Sequence, residues 1–423
     1  MSPISSDERF ASQHPTRSAE GGSTQKRTRP TPQVRPCSAT GFPCIGPITH
    51  ADLTDPPVAV RSVRDHRCIT GTWHVTAMPL AIERAGVSAR ITAVATHVPG
   101  TVLTNDELAA AFPSWTAAKI LEKTGILERR IAAADETAGD LAAGAAAALF
   151  DRMPGVRDRI DFLIFCSQAP DYVLPTTACL LQDRLGLGTR VGALDINLGC
   201  SGFVYGLSLA CGLIAGGMAK SVLLLTADTY SKYINAGDKS VRTLFGDGAA
   251  ATLIESDPTG DGAIGPFVFG TDGSGAEDLI VRTGGFRTPR TADTGVARDD
   301  GAGNLRADDD LFMHGGNVMN FSLREVPRAV GELLTRSGTT LADHDAVIFH
   351  QANKFMIDAL QRKLGLPADK VLRRYERVGN TVSSTIPFVL EEALAQGLCS
   401  QGRSMLLVGF GVGLSWAGAR IRF

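Results

Sequence analysis

No CxxC pair occurs in the chain, and its eight cysteines are scattered, several of them inside apolar strand-like or helix-like runs. That pattern argues against a disulfide framework and a zinc site, and for a reducing, cytoplasmic compartment. An excess of one charge is also missing. The net charge is −2, and no basic run of useful length offers nucleic acid a surface. No apolar run near the amino terminus has the form of a secretory signal. Ser201–Met218 is uncharged over 18 residues, the lower limit for a membrane span. Its glycines, the Lys220 that follows and the strand before it mark a buried helix between two sheets instead.

Residues 1–77 lack helix and strand periodicity. They are rich in Ser, Thr, Pro and Arg, with breakers such as Arg29-Pro30 and Pro56-Pro57. They read as a disordered extension, or as translation assigned too far upstream of Met78. Asp7 and Glu8 count against a transit peptide, and Cys37, Cys44 and Cys68 have no metal-ligand spacing. The rest alternates apolar strands with helices. Strands are expected at Ile91–Val98, Phe162–Cys166, Gly192–Ile196, Val222–Thr226, Ala250–Ile254, Val347–His350 and Met405–Val408. Helices are expected at Asp106–Phe112, Glu136–Phe150, Thr177–Leu185 and Val326–Ser337. Continuous apolar strands separated by helices indicate α/β sheets covered on both faces. Gly284–Asp310 reads as a polar, solvated loop; its Asp308-Asp-Asp310 is a weaker fit to a metal loop.

One segment stands out chemically. Asp195-Ile-Asn-Leu-Gly-Cys-Ser-Gly-Phe203 reads as a strand, a sharp turn and a helix beginning at Cys200. Unpaired helix N–H groups and the helix dipole there would favour a thiolate. Taken alone the segment reads more readily as a buried cysteine. A repeat changes that balance. Asp161-Phe-Leu-Ile-Phe-Cys166 returns as Asp345-Ala-Val-Ile-Phe-His350. Leu181-Gln-Asp-Arg-Leu-Gly-Leu187 returns as Leu360-Gln-Arg-Lys-Leu-Gly-Leu366. Gly199-Cys200 corresponds to Gly379-Asn380, and Ser221–Leu225 to Ser404–Val408. Four matches in one order, at offsets of 179 to 184 residues, indicate duplication. Two halves, 78–257 and 258–423, packed about a pseudo-twofold axis would bring Cys200, His350 and Asn380 to one point. Taken singly, His350 reads as a core histidine and Asn380 as a turn residue.

Over about residues 90–423 the chain resembles the ketoacyl-ACP synthase III family of the thiolase superfamily. The resemblance rests on Cys200-Ser-Gly-Phe, His350-Gln-Ala-Asn353, Gly379-Asn-Thr381, Gly409-Phe-Gly-Val-Gly413, Arg422-Phe423, Lys123-Thr-Gly-Ile126, Glu128-Arg129-Arg130 and Phe245-Gly-Asp-Gly248, in family order. It implies a thiolase-like five-layer αβαβα fold of two duplicated halves and a Cys200–His350–Asn380 centre. The expected activity is acyl transfer from an acyl-CoA or acyl-ACP primer to Cys200, then decarboxylative condensation with malonyl-ACP. His350 and Asn380 would donate to the enolate. The backbone N–H groups of Cys200 and Gly413 would form the oxyanion hole. No metal and no cofactor beyond the substrates is implied.

The resemblance also places Met313 and Met319 on the acyl pocket, and Leu174 on a loop that reaches a partner subunit, hence a homodimer. Arg362 and Lys363 would meet the acidic carrier protein. Where the family clamps the CoA adenine between Trp and Arg, Lys119 and Lys239 stand here, and Lys123 replaces another CoA-contacting Arg. A lysine has no planar face to stack, so either Trp115 supplies the stack or the primer arrives on a carrier protein. Asn320 and Phe355 replace basic positions on the carrier side, and Leu198-Gly199 departs from the usual small pair. These departures suggest a specialised relative, in secondary-metabolite or surface-polysaccharide assembly. Two alternatives remain: an acyltransferase of the same fold serving a hydroxyl or amine, and a non-catalytic subunit, which the presence of Cys200 disfavours.

Overall fold

The computed structural model describes residues 88–259 and 263–423, all of which belong to one compact unit. The expectations for residues 1–77 lie outside the described residues. Nine strands form the two main sheets. The first consists of β1 (Ser88–His97), β2 (Phe162–Cys166), β3 (Gly192–Ile196), β4 (Ser221–Asp228) and β5 (Gly248–Asp257), in the order β1-β5-β4-β2-β3. Strands β4, β2 and β3 run parallel; β5 and β1 pair antiparallel. The second contains β6 (Ala263–Thr271), β7 (Ala346–Phe349), β8 (Ser404–Gly411) and β9 (Ser415–Arg422), in the order β7-β8-β9-β6, with β7 and β8 parallel.

The continuous apolar strands have this form because both faces of each sheet are covered. In β4, Val222 and Leu224 face the space between the sheets, whereas Leu223 and Leu225 face the outer layer. In β8 the same alternation sends Met405 and Leu407 inward and Leu406 and Val408 outward. Helix α1 (Ala138–Arg152) covers the first sheet, starting at a Thr137–Asp140 capping box and packing on it through alanines. Helices α2 (Gly202–Ala215) and α5 (Thr385–Ala395) fill the middle layer with Phe203, Val204, Leu207, Ile386, Val389 and Leu390. Each such side chain contributes about 1.5–3 kcal/mol by burial. Helices α3 (Gly315–Ser337) and α4 (Lys354–Leu364) cover the second sheet. The layers are therefore αβαβα, with the uncharged Ser201–Met218 stretch at the centre. No helix among the described residues is long and apolar enough to cross a membrane.

The repeated motifs perform repeated tasks. The backbone N–H of Asp161 donates to the Ser221 carbonyl, and that of Asp345 to the Ser404 carbonyl, at 2.9 and 2.8 Å. Each aspartate side chain in turn accepts from the N–H of that serine. Gln182 and Gln361 each close the end of their own helix by donating to the carbonyls of Leu187 and Leu366. One element differs: the counterpart of β3 is reduced to a single bridge between Val347 and Val371.

Two expectations change. Helix α3 begins at Gly315 rather than Val326 and runs through Pro327. Packing of Phe321, Val326, Val330 and Leu333 on the second sheet outweighs the one hydrogen bond the proline removes. Within Gly284–Asp310, Arg298–Asp299 pairs with Leu305–Arg306 as a short hairpin. Asp309 accepts from Thr283, and Asp310 from Asn235 and the Ala307 N–H, so these carboxylates anchor the loop.

The two halves meet where Phe245 forms a parallel bridge with Asn380. Asn380 donates its N–H to the Leu244 carbonyl (2.9 Å) and accepts at its own carbonyl from Gly246 (3.1 Å). A Cβ on Gly246 would press into the Val378 carbonyl, a backbone atom that cannot swing away. Gly246→Ala is therefore expected to destabilise the protein by about 1–3 kcal/mol. Gly212→Ala, facing open space on α2, should not. Thermal melting of the two variants checks this; an unchanged melting temperature for Gly246→Ala would contradict it.

Candidate active site

Strand β3 ends at Ile196, and the chain turns before α2 begins at Gly202. Cys200 thus lies in the turn, two residues before the helix rather than at its first residue, and the Gly202 N–H is already spent on the Gly199 carbonyl (2.7 Å). The end of β8 closes over the sulfur. A Cβ on Gly411 would stand 2.7 Å from Cys200 Sγ, and the backbone there has φ +157, so only glycine fits. Two backbone N–H groups face the sulfur, those of Val412 and of Cys200 itself. The expected second donor, Gly413, is one residue too far along the turn.

Burial pushes the Cys200 thiol up to about 12, and the Asp228 carboxylate adds to this; the Val412 and Cys200 N–H groups oppose it. The resting group is a thiol. This corrects the expectation of a thiolate stabilised by a helix end, because desolvation outweighs the few donors present.

His350 follows β7, its N–H held by the Val408 carbonyl at 2.8 Å. Its ring stands edge-on to Phe410, and Nδ1 lies 2.7 Å from Thr385 Oγ1. Burial drives the imidazole down to about 3, against a hydrogen bond to the Val382 carbonyl, so the ring is neutral. The Asn380 side chain accepts the Val382 N–H at Oδ1 (3.0 Å), which leaves both Nδ2 hydrogens for the cavity it lines.

Cys200, His350 and Asn380 line one cavity of about 280 Å³. Leu244, Phe245, Leu279, Met313, Val318 and Met356 give it apolar walls, and Trp115 and the exposed Lys123 stand at its open side. A larger surface hollow of about 760 Å³ contains none of the three; its Arg373 and Arg374 are ion-paired with Asp358 and Glu392.

Of the other expected residues, Met313, Lys123 and Trp115 line the cavity and the rest do not. Met319 packs in the outer core over the second sheet. Lys119 Nζ lies 5.6 Å from the Trp115 ring centre and donates to the Ser114 carbonyl. Lys239 Nζ is bound to the carbonyls of Ala302 and Gly303 in the hairpin loop, at 2.5 and 3.1 Å. Leu174 is 79% exposed beside the exposed Tyr172 and Val173. Arg362 and Lys363 are exposed at the end of α4, and Phe355 on its first turn.

The sequence carried no signal for Val412, Val382, Thr385 or Asp228. Asp228 ends β4 fully buried, accepting from Gln168 N–H (2.8 Å), Ser383 N–H (3.2 Å) and Ser383 Oγ (2.5 Å). Burial lifts its carboxyl to about 7 in spite of these donors.

Comparison with known proteins agrees with this architecture. The family model described as 3-oxoacyl-[acyl-carrier-protein (ACP)] synthase III matches residues 194–273, and that of its C-terminal region matches 334–423. A beta-ketoacyl-[acyl-carrier-protein] synthase III of Deinococcus deserti is 36% identical over 337 residues, covering 80% of this chain and 92% of its own. A crystal structure of a 3-oxoacyl-(acyl-carrier-protein) synthase III, 55% identical, superposes with a TM-score of 0.78 over 79% of this chain and 100% of that one. A 3-oxoacyl-(acyl-carrier protein) synthase from Burkholderia xenovorans, 40% identical, does so with a TM-score of 0.73 over 80% and 94%.

With the thiol near 12, alkylation of Cys200 by iodoacetamide is expected to quicken about tenfold per pH unit from about pH 7 to about pH 10, since only the thiolate reacts. Peptide-mapped alkylation rates measure this. A plateau near neutral pH would mean that the thiolate is already formed.

Proposed function

Because the chain belongs to the 3-oxoacyl-ACP synthase III family, we propose that Cys200, His350 and Asn380 carry out its two half-reactions. The protein is a condensing enzyme of that type, an acyltransferase. The observation that carries the assignment is that a nucleophile from one half and two neutral hydrogen-bonding side chains from the other line one apolar cavity.

In the first half-reaction Cys200 Sγ attacks the thioester carbonyl of an acyl-CoA or acyl-ACP primer. An S–C bond forms, the primer's own C–S bond breaks, and the thiol proton ends on the departing thiolate. The negative oxygen formed in between is held by the N–H groups of Val412 and Cys200, the pair already aimed at the sulfur. In the second, malonyl-ACP loses CO2, and the electron pair of the broken C–C bond passes into a thioester enolate. Asn380 Nδ2 and His350 donate to that oxyanion. The enolate carbon attacks the acyl group, and Cys200 leaves as a thiolate that regains a proton. No electron is gained or lost overall, so the chemistry calls for no redox cofactor.

Acyl transfer to a hydroxyl or amine would need no enolate donors, so the His350–Asn380 pair supports condensation. The exposed Tyr172-Val173-Leu174 loop supports a homodimer. The unpaired Cys166, Cys179, Cys200, Cys211 and Cys399 support a cytoplasmic location. The proposed apparatus lies within residues 78–257 and 258–423, and residues 1–77 are assigned no part in it. Arg362 and Lys363, exposed together on α4, are the proposed contact for the carrier protein.

Cys200→Ser is expected to abolish acyl-enzyme formation in intact-protein mass spectrometry, and Cys166→Ser to leave it unchanged. An adduct on another cysteine would overturn the assignment. His350→Ala and Asn380→Ala should still self-acylate, but lose CO2 release from malonyl-ACP by about 100-fold or more. A loss below tenfold in either would remove that residue from the donor pair.

A further inference from the structure

The reading of His350 as an enolate donor leaves one requirement unmet by the residues named so far. A neutral imidazole carries one N–H, and burial keeps this ring neutral. To donate from Nε2 into the cavity, the ring must accept at Nδ1. Two groups stand against the ring. The Val382 carbonyl can only accept, and acting alone it would draw the proton to the ring nitrogen facing it. The Val382 N–H is unavailable, being committed to Asn380 Oδ1 at 3.0 Å. The remaining group is the hydroxyl of Thr385, 2.7 Å from Nδ1 and buried at 1% exposure.

Thr385 is the first residue of α5, and its Oγ1 also lies 3.1 Å from the Val382 carbonyl three residues back. The hydroxyl has one proton and two places to put it. Given to the carbonyl, it leaves Nδ1 protonated and Nε2 a bare lone pair; given to Nδ1, it leaves Nε2–H facing the reaction. The backbone keeps these groups close: among the described residues Val382 is the one non-glycine residue with a left-handed backbone, at φ +54. For a β-branched side chain that conformation costs on the order of 1–3 kcal/mol. It turns the Val382 N–H to Asn380 while its carbonyl faces His350 and Thr385.

We propose that Thr385 is a positioning residue for the condensation half-reaction: its hydroxyl donates to His350 Nδ1 and so holds the imidazole as the Nε2–H tautomer. The inference rests on the donor role of His350 given above, and the experiment separates the two. Thr385→Val keeps the shape and removes the donor; Thr385→Ser keeps the donor; Thr385→Ala removes the donor without a second methyl to accommodate. Three quantities are measured on the full chain: self-acylation from acyl-CoA, CO2 release from malonyl-ACP, and the 15N signal of His350 Nδ1 in histidine-labelled protein.

Thr385→Val and Thr385→Ala are expected to acylate Cys200 within about threefold of the parent. Their CO2 release should fall by about 10- to 100-fold, less than the roughly 100-fold or more for loss of an oxyanion donor itself, because the imidazole remains and only its tautomer is released. Their Nδ1 signal should move from the acceptor to the N–H position. Thr385→Ser should restore both CO2 release and signal. Undiminished CO2 release in both donor-less variants, alongside a large loss in His350→Ala, would overturn the role of Thr385 and leave that of His350 standing. Undiminished release in His350→Ala would remove the donor role itself. Equal loss of acylation and CO2 release in all three Thr385 variants would show a merely structural contribution and also overturn the proposal.

Discussion

Asn380 is held by its own backbone between two residues of the other half, donating to Leu244 and accepting from Gly246. Three residues on, Ser383 gives its N–H and hydroxyl to Asp228 at the end of β4. Between these anchors the chain has little freedom, and Val382 takes the left-handed conformation that the span demands. Two of the three groups of the candidate centre are referred to this short stretch. Asn380 accepts from the Val382 N–H and His350 faces the Val382 carbonyl, whereas the Cys200 sulfur meets the Val412 N–H just past β8 and touches the stretch through the shared apolar cluster that includes Val382. The duplication makes the arrangement possible, because the turn after β3 and the turn at Asn380 are equivalent positions whose residues Cys200 and Asn380 line one cavity. Strand β3 is full length in the first half, and its counterpart shrinks to one bridge in the second, so the second turn is tied mainly through the first half.

Burial dominates the electrostatics of the cavity. It raises the thiol of Cys200 and lowers the imidazole of His350 by amounts on the order of 4 kcal/mol each. Burial therefore favours two neutral groups over a thiolate–imidazolium pair. In the proposed mechanism charge forms where N–H groups meet it: at Val412 and Cys200 for the acyl oxyanion, and at Asn380 and His350 for the enolate. Lys123, among the described residues the one cation lining the cavity, is exposed to solvent.

Much of the architecture was legible in the sequence, for a physical reason. Strands buried on both faces need continuous apolar runs, so Phe162–Cys166 was readable to the residue; the half-buried end strand Gly192–Ile196 was read with the same bounds although it carries Asp195. The paired Asp161 and Asp345, doing the same work at the start of each repeat, exposed the duplication. Helix α3 was misread at its start because Pro327 is a stop signal locally, and only packing against a sheet distant in sequence overrides it. Loop register was harder still: the donor facing Cys200 is Val412, one residue from the expected Gly413, and nothing in a glycine-rich turn tells which N–H points inward. Lys239 looked available for substrate until the hairpin at Arg298–Arg306 was seen to supply its carbonyl partners. Thr385 and Val382 owe their significance to contacts with His350, distant in sequence within the same half, and Asp228 to its contact with Ser383 in the other half, none of which a local pattern encodes.

The central claim is that an acyl group parked on Cys200 is transferred to carbon, driven by loss of CO2. A single-turnover experiment tests this most directly. Acyl-enzyme carrying a labelled acyl group on Cys200 is freed of primer and mixed with malonyl-ACP labelled in its free carboxyl group. The acyl label should leave Cys200 and appear in 3-oxoacyl-ACP, with one labelled CO2 released for each acyl group lost. Departure of the acyl group without matching CO2 would contradict the account, identifying an acyltransferase built on the same fold if a hydroxyl or amine receives it and a hydrolase if water does.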